Sequence, residues 1–318
     1  MTSSVDMRPT GWDEYIGQDK LKADLQTWID GVYRNDTMLP HVLLVAPPGV
    51  GKTTIAHLIA DELGDELDEY LMPLPRNHFK YVLMAAENKI VFADEFHRLG
   101  KKEQHDLLIA LEDGVWQDGF NRIELPPFTL IAATTEPQDL IKPMFRRFPI
   151  QPHFVDYTDA EMAQVVTLMA QRVNLEPTPE VATALGIASA GSPSQAERLV
   201  LAADAIGSIE DAQAVLSLAN ITPEGLTPQH IEYLNTLQRQ HHPSGIDLLA
   251  SCLNLPKPYV MDIERTLIKQ GLIERTRTGR QLSPSGFQFI TRRNNGQAHN
   301  PHQRSHPQLR TRPRQRKG

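Results

Sequence analysis

The run Ala46-Pro47-Pro48-Gly49-Val50-Gly51-Lys52-Thr53-Thr54 joins a short apolar stretch to a helical pattern, and its residue types suit the holding of a phosphate chain. Glycines let the backbone curl so that its N–H groups face the phosphates, while the start of the following helix adds its dipole. Lys52 is the cation for the outer phosphates, and the Thr53 hydroxyl is suited to help hold Mg2+. Pro48, Gly49, Val50, Gly51 and Thr54 complete the expected nucleotide contacts. Ala46 stands where the pattern usually has glycine.

Further along, the apolar run Lys89-Ile90-Val91-Phe92-Ala93 ends in Asp94-Glu95. A carboxylate pair at the end of a buried strand, downstream of a phosphate loop, provides one group to hold Mg2+ (Asp94) and one to polarise an attacking water (Glu95). A third apolar run ends in Thr134-Thr135, where a hydroxyl can touch the γ-phosphate or orient the water. The adjacent pair Arg146-Arg147 fits a surface pair beside aromatics. It also fits a ring ATPase in which Arg147 reaches the γ-phosphate held by a neighbouring subunit.

These groups need a scaffold. The runs 41–45, 89–93 and 128–133 read as buried strands, with helical patterns between them such as 104–112, so the first part of the chain is an α/β domain with a parallel sheet covered on both faces. After about residue 152 the pattern becomes helix upon helix. A capping box at Thr158 to Glu161 and cap-then-proline starts at Thr178-Pro179 and Ser192-Pro193 predict a small helical domain to about 225. Thr227-Pro228 opens a third unit, with helices near 231–237, 246–253 and 259–270 and a hairpin over 271–282 turning at Thr278-Gly279. Three helices and a basic hairpin describe a winged helix. The expected organisation is thus 1–154, 155–225 and 226–290, with a disordered basic tail from 291.

Composition narrows the classes. The chain of 318 residues is 40% hydrophobic and 22% charged, with no apolar run long enough for a membrane span and no secretory pattern at its start, so a cytoplasmic protein without a membrane partner is expected. Cys252 is the only cysteine, which excludes an internal disulfide, and is expected to be a small core residue. The net charge of −7 hides an asymmetry: residues 291–318 hold eight Lys or Arg and no Asp or Glu, so the rest of the chain balances at −15. An acidic body with a basic end suits a polyanion contact at that end.

With these motifs in view, residues 8–289 resemble the RuvB family of AAA+ Holliday-junction branch-migration motors. The segment Arg8-Pro9-Thr10-Gly11-Trp12-Asp13-Glu14-Tyr15-Ile16-Gly17-Gln18, the phosphate loop, Asp94-Glu95-Phe96-His97-Arg98-Leu99 and Leu130-Ile131-Ala132-Ala133-Thr134-Thr135 are each similar to that family's motifs. The resemblance implies a P-loop AAA+ domain, a helical lid and a winged helix. ATP and Mg2+ are the implied cofactors, duplex or four-way-junction DNA the substrate, a homo-hexameric ring the assembly and a RuvA-like protein a partner. It also puts Arg8, Tyr15, Ile16 and Tyr157 beside the adenine, Pro193 in the lid's sensor, and Arg275, Arg277 and Arg280 on the DNA backbone.

Two departures stand out. The family's lid sensor reads Gly-Thr-Pro-Arg, whereas this chain has Gly191-Ser192-Pro193-Ser194, with Arg198 one helical turn further as a candidate substitute. The hairpin region 114–125 is shorter than in the family, with Trp116 and Phe120 either partner contacts or core and partner contact the expectation. The leading function is therefore an ATP-driven branch-migration motor in recombination and repair. The alternative is a loader or remodelling ATPase that places a helicase or clamp on DNA. A winged-helix regulator using ATP only as a switch is disfavoured by Glu95, an acid such a switch does not need.

Overall fold

The structure, a computed structural model, describes residues 6–75, 78–118, 121–240 and 242–298. Two compact units divide the chain between Gly225 and Leu226. The first begins with α1 (Asp19–Asn35), β1 (Val42–Val45), α2 (Lys52–Leu63), β2 (Leu67–Leu71), α3 (His78–Met84) and β3 (Ile90–Asp94). It continues with α4 (Lys101–Asp113), β4 (Val115–Asp118), β5 (Asn121–Glu124) and β6 (Thr129–Thr134). Four helices close this unit: α5 (Asp159–Arg172), α6 (Pro179–Ala188), α7 (Pro193–Ile206) and α8 (Ala212–Ala219).

The sheet is parallel, in the order β1-β6-β3-β2. Alternate residues of its strands feed two different cores, as the period of a strand requires. Val42, Leu44, Ile90, Phe92, Ile131 and Ala133 pack with Leu21, Leu25 and Ile29 of α1 and Ile55 and Ile59 of α2. Leu43, Val91, Ala93, Leu130 and Ala132 pack on the opposite side with Phe79, Leu83, Leu107 and Trp116. Burial on both faces is why β3 and β6 read as continuous apolar runs. Strand β2 escapes the sequence reading because Asp68 and Glu69 interrupt its apolar pattern, which suits an edge strand.

The short hairpin β4–β5 corrects one expectation. Trp116 is 6% exposed and belongs to the core under the sheet, so it is not a contact for a partner. Val115, its neighbour on the strand, is also buried, because the hairpin folds directly back on the end of α4, Leu125 N donating to the Gly114 carbonyl at 2.8 Å. Phe120 lies outside the described residues.

Helices α5, α6 and α7 start at the expected caps. The Thr158 hydroxyl accepts from Glu161 N at 3.2 Å while the Glu161 carboxylate accepts from Thr158 N at 2.7 Å. Thr178 and Ser192 each accept from a backbone N–H three residues on. Such caps satisfy donors the helix cannot, each contributing about 1 kcal/mol.

The second unit holds α9 (Pro228–Gln240), α10 (Ile246–Leu253), α11 (Lys257–Lys269), the antiparallel pair β7 (Ile273–Thr276) and β8 (Gly279–Leu282), and α12 (Pro284–Ala298). Tyr233, Leu234, Leu249, Val260, Leu267 and Ile290 form its core. Three sequence expectations change here. Cys252 is exposed, because Leu249 takes the inward face of α10. The hairpin turns at Arg277-Thr278, one residue earlier than expected, since Gly279 already pairs with Thr276. Gly279 has φ +147°, and a Cβ there would lie 2.6 Å from the Ser244 carbonyl, so only glycine lets this strand approach the chain beside it. The tail does not begin at 291 either: α12 continues to Ala298, held on α9 by Gln238 to Thr291 at 3.2 Å and Asn294 to Asn235 at 3.1 Å. Arg292 and Arg293 are thus helical, and residues 299–318 lie outside the described ones.

Candidate functional site

The carboxyl ends of parallel strands share one edge of a sheet, and loops there meet. The loop after β1, the Asp94-Glu95 pair after β3 and the Thr134-Thr135 pair after β6 all emerge at that edge, with β6 between the other two strands. The adjacency is direct: Ala46 N donates to the Thr134 carbonyl at 3.3 Å. Ala46 itself is buried and outside the left-handed region, so an alanine fits without strain where glycine is usual.

Gly49 and Gly51 have φ of +77° and +103°, which curls the loop before α2. A Cβ on Gly49 would come within 2.7 Å of Ser192 Oγ. The Lys52 ammonium is buried in the curl and donates to the carbonyls of Ala46 at 3.0 Å and Pro47 at 2.9 Å. Thr53 and Thr54 follow on the first turn of α2 and are half-buried.

Asp94 ends β3 and accepts from Glu95 N at 2.8 Å. Glu95 has φ +51°, a left-handed conformation that a non-glycine residue keeps only when its surroundings hold it there. His97 Nε2 lies 3.4 Å from Glu95 Oε2, and Arg98 Nε lies 3.6 Å from the same oxygen. The other His97 nitrogen, Nδ1, lies 3.0 Å from Thr134 Oγ1, which also accepts from Glu136 N at 3.1 Å. Thr134 is fully buried with its hydroxyl engaged by protein, whereas Thr135 is half-buried. The expectation that either threonine could meet the γ-phosphate therefore narrows to Thr135. His97 lies within the Asp94–Leu99 motif, where residue type alone assigns it no role. Its spacing two residues past Glu95 was the available signal.

The segment before α1 folds across the loop. Arg8, Tyr15, Ile16, Tyr157 and Pro193 line one cavity together with Gly49, Gly51 and Thr54, so the residues expected beside the base do share a space with the phosphate loop. Tyr15 and Tyr157 are buried, and burial raises both phenols above their ordinary range. Arg8 is engaged by Asp6, whose carboxyl its guanidinium lowers to about 2, and by His57 at 2.6 Å. Arg172 of α5 lines the same cavity and pairs with Glu14, a contact between helical lid and N-terminal segment that no motif signalled.

At the lid, Ser194 N donates to the Gly49 carbonyl at 3.2 Å and Ser192 Oγ to the same oxygen at 3.4 Å. Arg198, the candidate substitute for the missing sensor arginine, donates from its guanidinium to the Ala219 carbonyl at 2.6 Å, at the end of α8. Arg147 sits at the end of a 3-10 turn over Lys142–Arg147, paired with Glu112 of α4. Its Nε is buried without a hydrogen-bond partner, while Arg146 beside it is exposed.

In the second unit the three wing arginines part ways. Arg275 donates to Glu264 Oε2 from Nη2 at 2.7 Å, and Arg280 donates to Glu264 Oε1 from Nε at 2.9 Å. Tyr233 Oη joins them at 2.9 Å. Glu264 is fully buried. Arg277, in the turn, is exposed.

Comparison with known proteins agrees with this architecture. The family model described as the Holliday junction DNA helicase RuvB P-loop domain matches residues 7–154, and the RuvB C-terminal winged helix domain matches 223–291. A curated relative, the Holliday junction branch migration complex subunit RuvB of Streptococcus pneumoniae (strain CGSP14), is 34% identical over 306 residues, covering 89% of this chain and 92% of its own. Among solved structures, the Thermotoga maritima RuvB Holliday junction branch migration motor superposes with a TM-score of 0.80 at 29% identity, covering 90% of this chain and 98% of that one. A point variant of the same protein gives 0.81 at the same identity and coverage. No helix among the described residues is long and apolar enough to cross a membrane. A P-loop sheet, a winged helix and this level of identity across nearly the whole length lead to one conclusion: the chain belongs to the RuvB family.

Proposed function

We propose that the chain hydrolyses ATP to drive itself along duplex DNA and so moves the arms of a four-way junction in recombination and repair. The observation that carries this reading is the meeting of phosphate loop, Asp94-Glu95 and Thr134-Thr135 on one sheet edge in a member of the RuvB family. Pro48 to Thr54 cradle the phosphates, with Lys52 on the outer two. Arg8, Tyr15, Ile16, Tyr157 and Pro193 enclose the adenine side. Thr53 and Asp94 supply only oxygen donors, which suits Mg2+, an ion that keeps several waters and takes few protein ligands. When bound, Mg2+ offsets the charge of the outer phosphates.

Glu95 orients a water for in-line attack on the γ-phosphorus and accepts its proton as the bond to the ADP oxygen breaks. Thr135 meets the γ-phosphate. Arg147 acts on the nucleotide of the next subunit, which makes a ring, of six copies by resemblance, the active form. Domains 1–154, 155–225 and 226–290 serve as ATPase, lid and DNA-binding module, and the protein works in the cytoplasm. A RuvA-like protein docks on the hairpin β4–β5, through exposed residues such as Arg122 and not through Trp116.

The deciding experiment is branch migration on a synthetic four-way junction, with and without a RuvA protein, using wild type and Glu95→Gln. ATP-dependent movement lost in Glu95→Gln supports the motor. DNA-stimulated hydrolysis without junction movement selects the loader reading instead.

A further inference from the structure

We propose that His97 is a positioning residue for hydrolysis, holding the Glu95 carboxylate to strand β6 through the Thr134 hydroxyl. The inference rests on the reading of Glu95 as the water-activating acid. It starts from hydrogen counting. Thr134 Oγ1 accepts from Glu136 N and lies 3.0 Å from His97 Nδ1. If the ring is neutral with its hydrogen on Nδ1, then Nε2 presents a lone pair to the Glu95 oxygen 3.4 Å away, and the two repel. If the hydrogen is on Nε2, the Thr134 hydroxyl donates to Nδ1 and Nε2–H meets Glu95. A protonated ring also presents Nε2–H there. Every state that satisfies the Thr134 contact without repulsion therefore puts an Nε2–H on the side of Glu95 Oε2, at ion-pair distance and short of a formed hydrogen bond.

Three facts raise this above a chance contact. The His97 side chain is only 9% exposed, so its rotamer is held by packing. Glu95 has left-handed backbone, a conformation kept only where the surroundings hold it, and such strain gathers at functional sites. The carbonyl of Thr134 receives Ala46 N, the first N–H of the phosphate loop, so one residue of β6 touches the loop through its backbone and the acid through His97. His97 and Arg98 both converge on Oε2. Oε1 is left to take the proton from water.

The test is steady-state ATP hydrolysis by the full chain with DNA present, for His97→Ala, Thr134→Val, the double variant, His97→Gln, Thr134→Ser and Glu95→Gln. A tilted carboxylate lowers kcat about ten- to hundred-fold in each of the first two, because small misplacements of a reacting group cost that much. KM for ATP stays within about twofold, since neither side chain is in the phosphate cradle. The double variant is no worse than the poorer single one, the non-additivity expected of two groups acting in series. His97→Gln, which keeps an N–H near the Nε2 position, and Thr134→Ser, which keeps the hydroxyl, recover much of the rate. Wild-type kcat in His97→Ala, or losses that multiply in the double variant, overturns the proposal while an inactive Glu95→Gln leaves the hydrolytic reading standing. Full turnover in Glu95→Gln overturns both.

Discussion

Arg280 Nε donates to Glu264 Oε1 at 2.9 Å, and this contact ties the second strand of the wing to the buried side of α11. Arg275 reaches the other oxygen of the same carboxylate, so two of the three basic residues in the hairpin neutralise an internal charge. The wing is braced from behind, and the exposed cation of its turn is Arg277.

A division of labour among the arginines follows. Arg277→Ala lowers DNA affinity and flattens the slope of log affinity against log salt by about one, the signature of one phosphate contact, with the melting temperature unchanged. Glu264→Ala, which removes the acceptor shared by Arg275, Arg280 and the buried Tyr233 hydroxyl, destabilises the second unit by about 1–3 kcal/mol. Salt titrations and thermal melts separate the two. If Arg275→Ala or Arg280→Ala flattens the salt slope as Arg277→Ala does while leaving the melt untouched, the bracing role is wrong.

Arg147 is held within its own chain by Glu112. Arg147→Ala is expected to lower turnover about a thousandfold, the scale of an arginine acting on a neighbour's γ-phosphate. Glu112→Gln, by contrast, leaves turnover of the assembled protein at or above wild type. Mixing Lys52→Ala and Arg147→Ala subunits restores activity at interfaces that pair an intact loop with an intact arginine. An assembled mixture with no recovery would remove Arg147 from the neighbouring site.

The lid seats on the phosphate loop through backbone. Gly49→Ala brings a Cβ within 2.7 Å of Ser192 Oγ at a φ of +77°. Left-handed strain alone costs about 1–3 kcal/mol, which, where the loop must hold this conformation to bind, corresponds to nucleotide binding weaker by about fivefold to a hundredfold. Titration with a fluorescent ATP analogue measures it. Ser194→Ala, whose backbone N–H is retained, binds as wild type does.

Two half-buried histidines give the fold an acid limit. His41 accepts Leu130 N at 3.0 Å through Nδ1 and packs against Phe128, and burial lowers its pKa from 6.5 to about 4. Burial does the same to His230 in the second unit. A base whose folded pKa is depressed contributes stability that is fully present above pH 6.5 and is lost as pH falls toward 4. For His41 this amounts to about 3 kcal/mol. Melting temperature against pH should therefore fall over that window, and fall less steeply in His41→Asn. An identical slope in the variant would show that His41 carries none of it.

Much of the site was legible because its chemistry is local in sequence. Gly49, Gly51, Lys52 and Thr53 fall on consecutive turns of one loop and helix, and Asp94-Glu95 close one apolar strand, so spacing alone brings them out as candidates. Strands buried on both faces and helices opened by Thr158, Thr178 and Ser192 were readable for the same reason: hydrophobic period and cap chemistry are properties of short segments. Tertiary structure alone decided which polar groups meet. That Thr134 spends its hydroxyl on His97, that Arg198 binds the Ala219 carbonyl at the end of α8, and that Arg275 and Arg280 share a buried Glu264 each depend on residues from separate elements brought together by packing. Trp116 and Cys252 exchange the places expected of them for the same physical reason. A single side chain on a short element carries no period of its own, so which way it faces is set by what the rest of the chain packs against it.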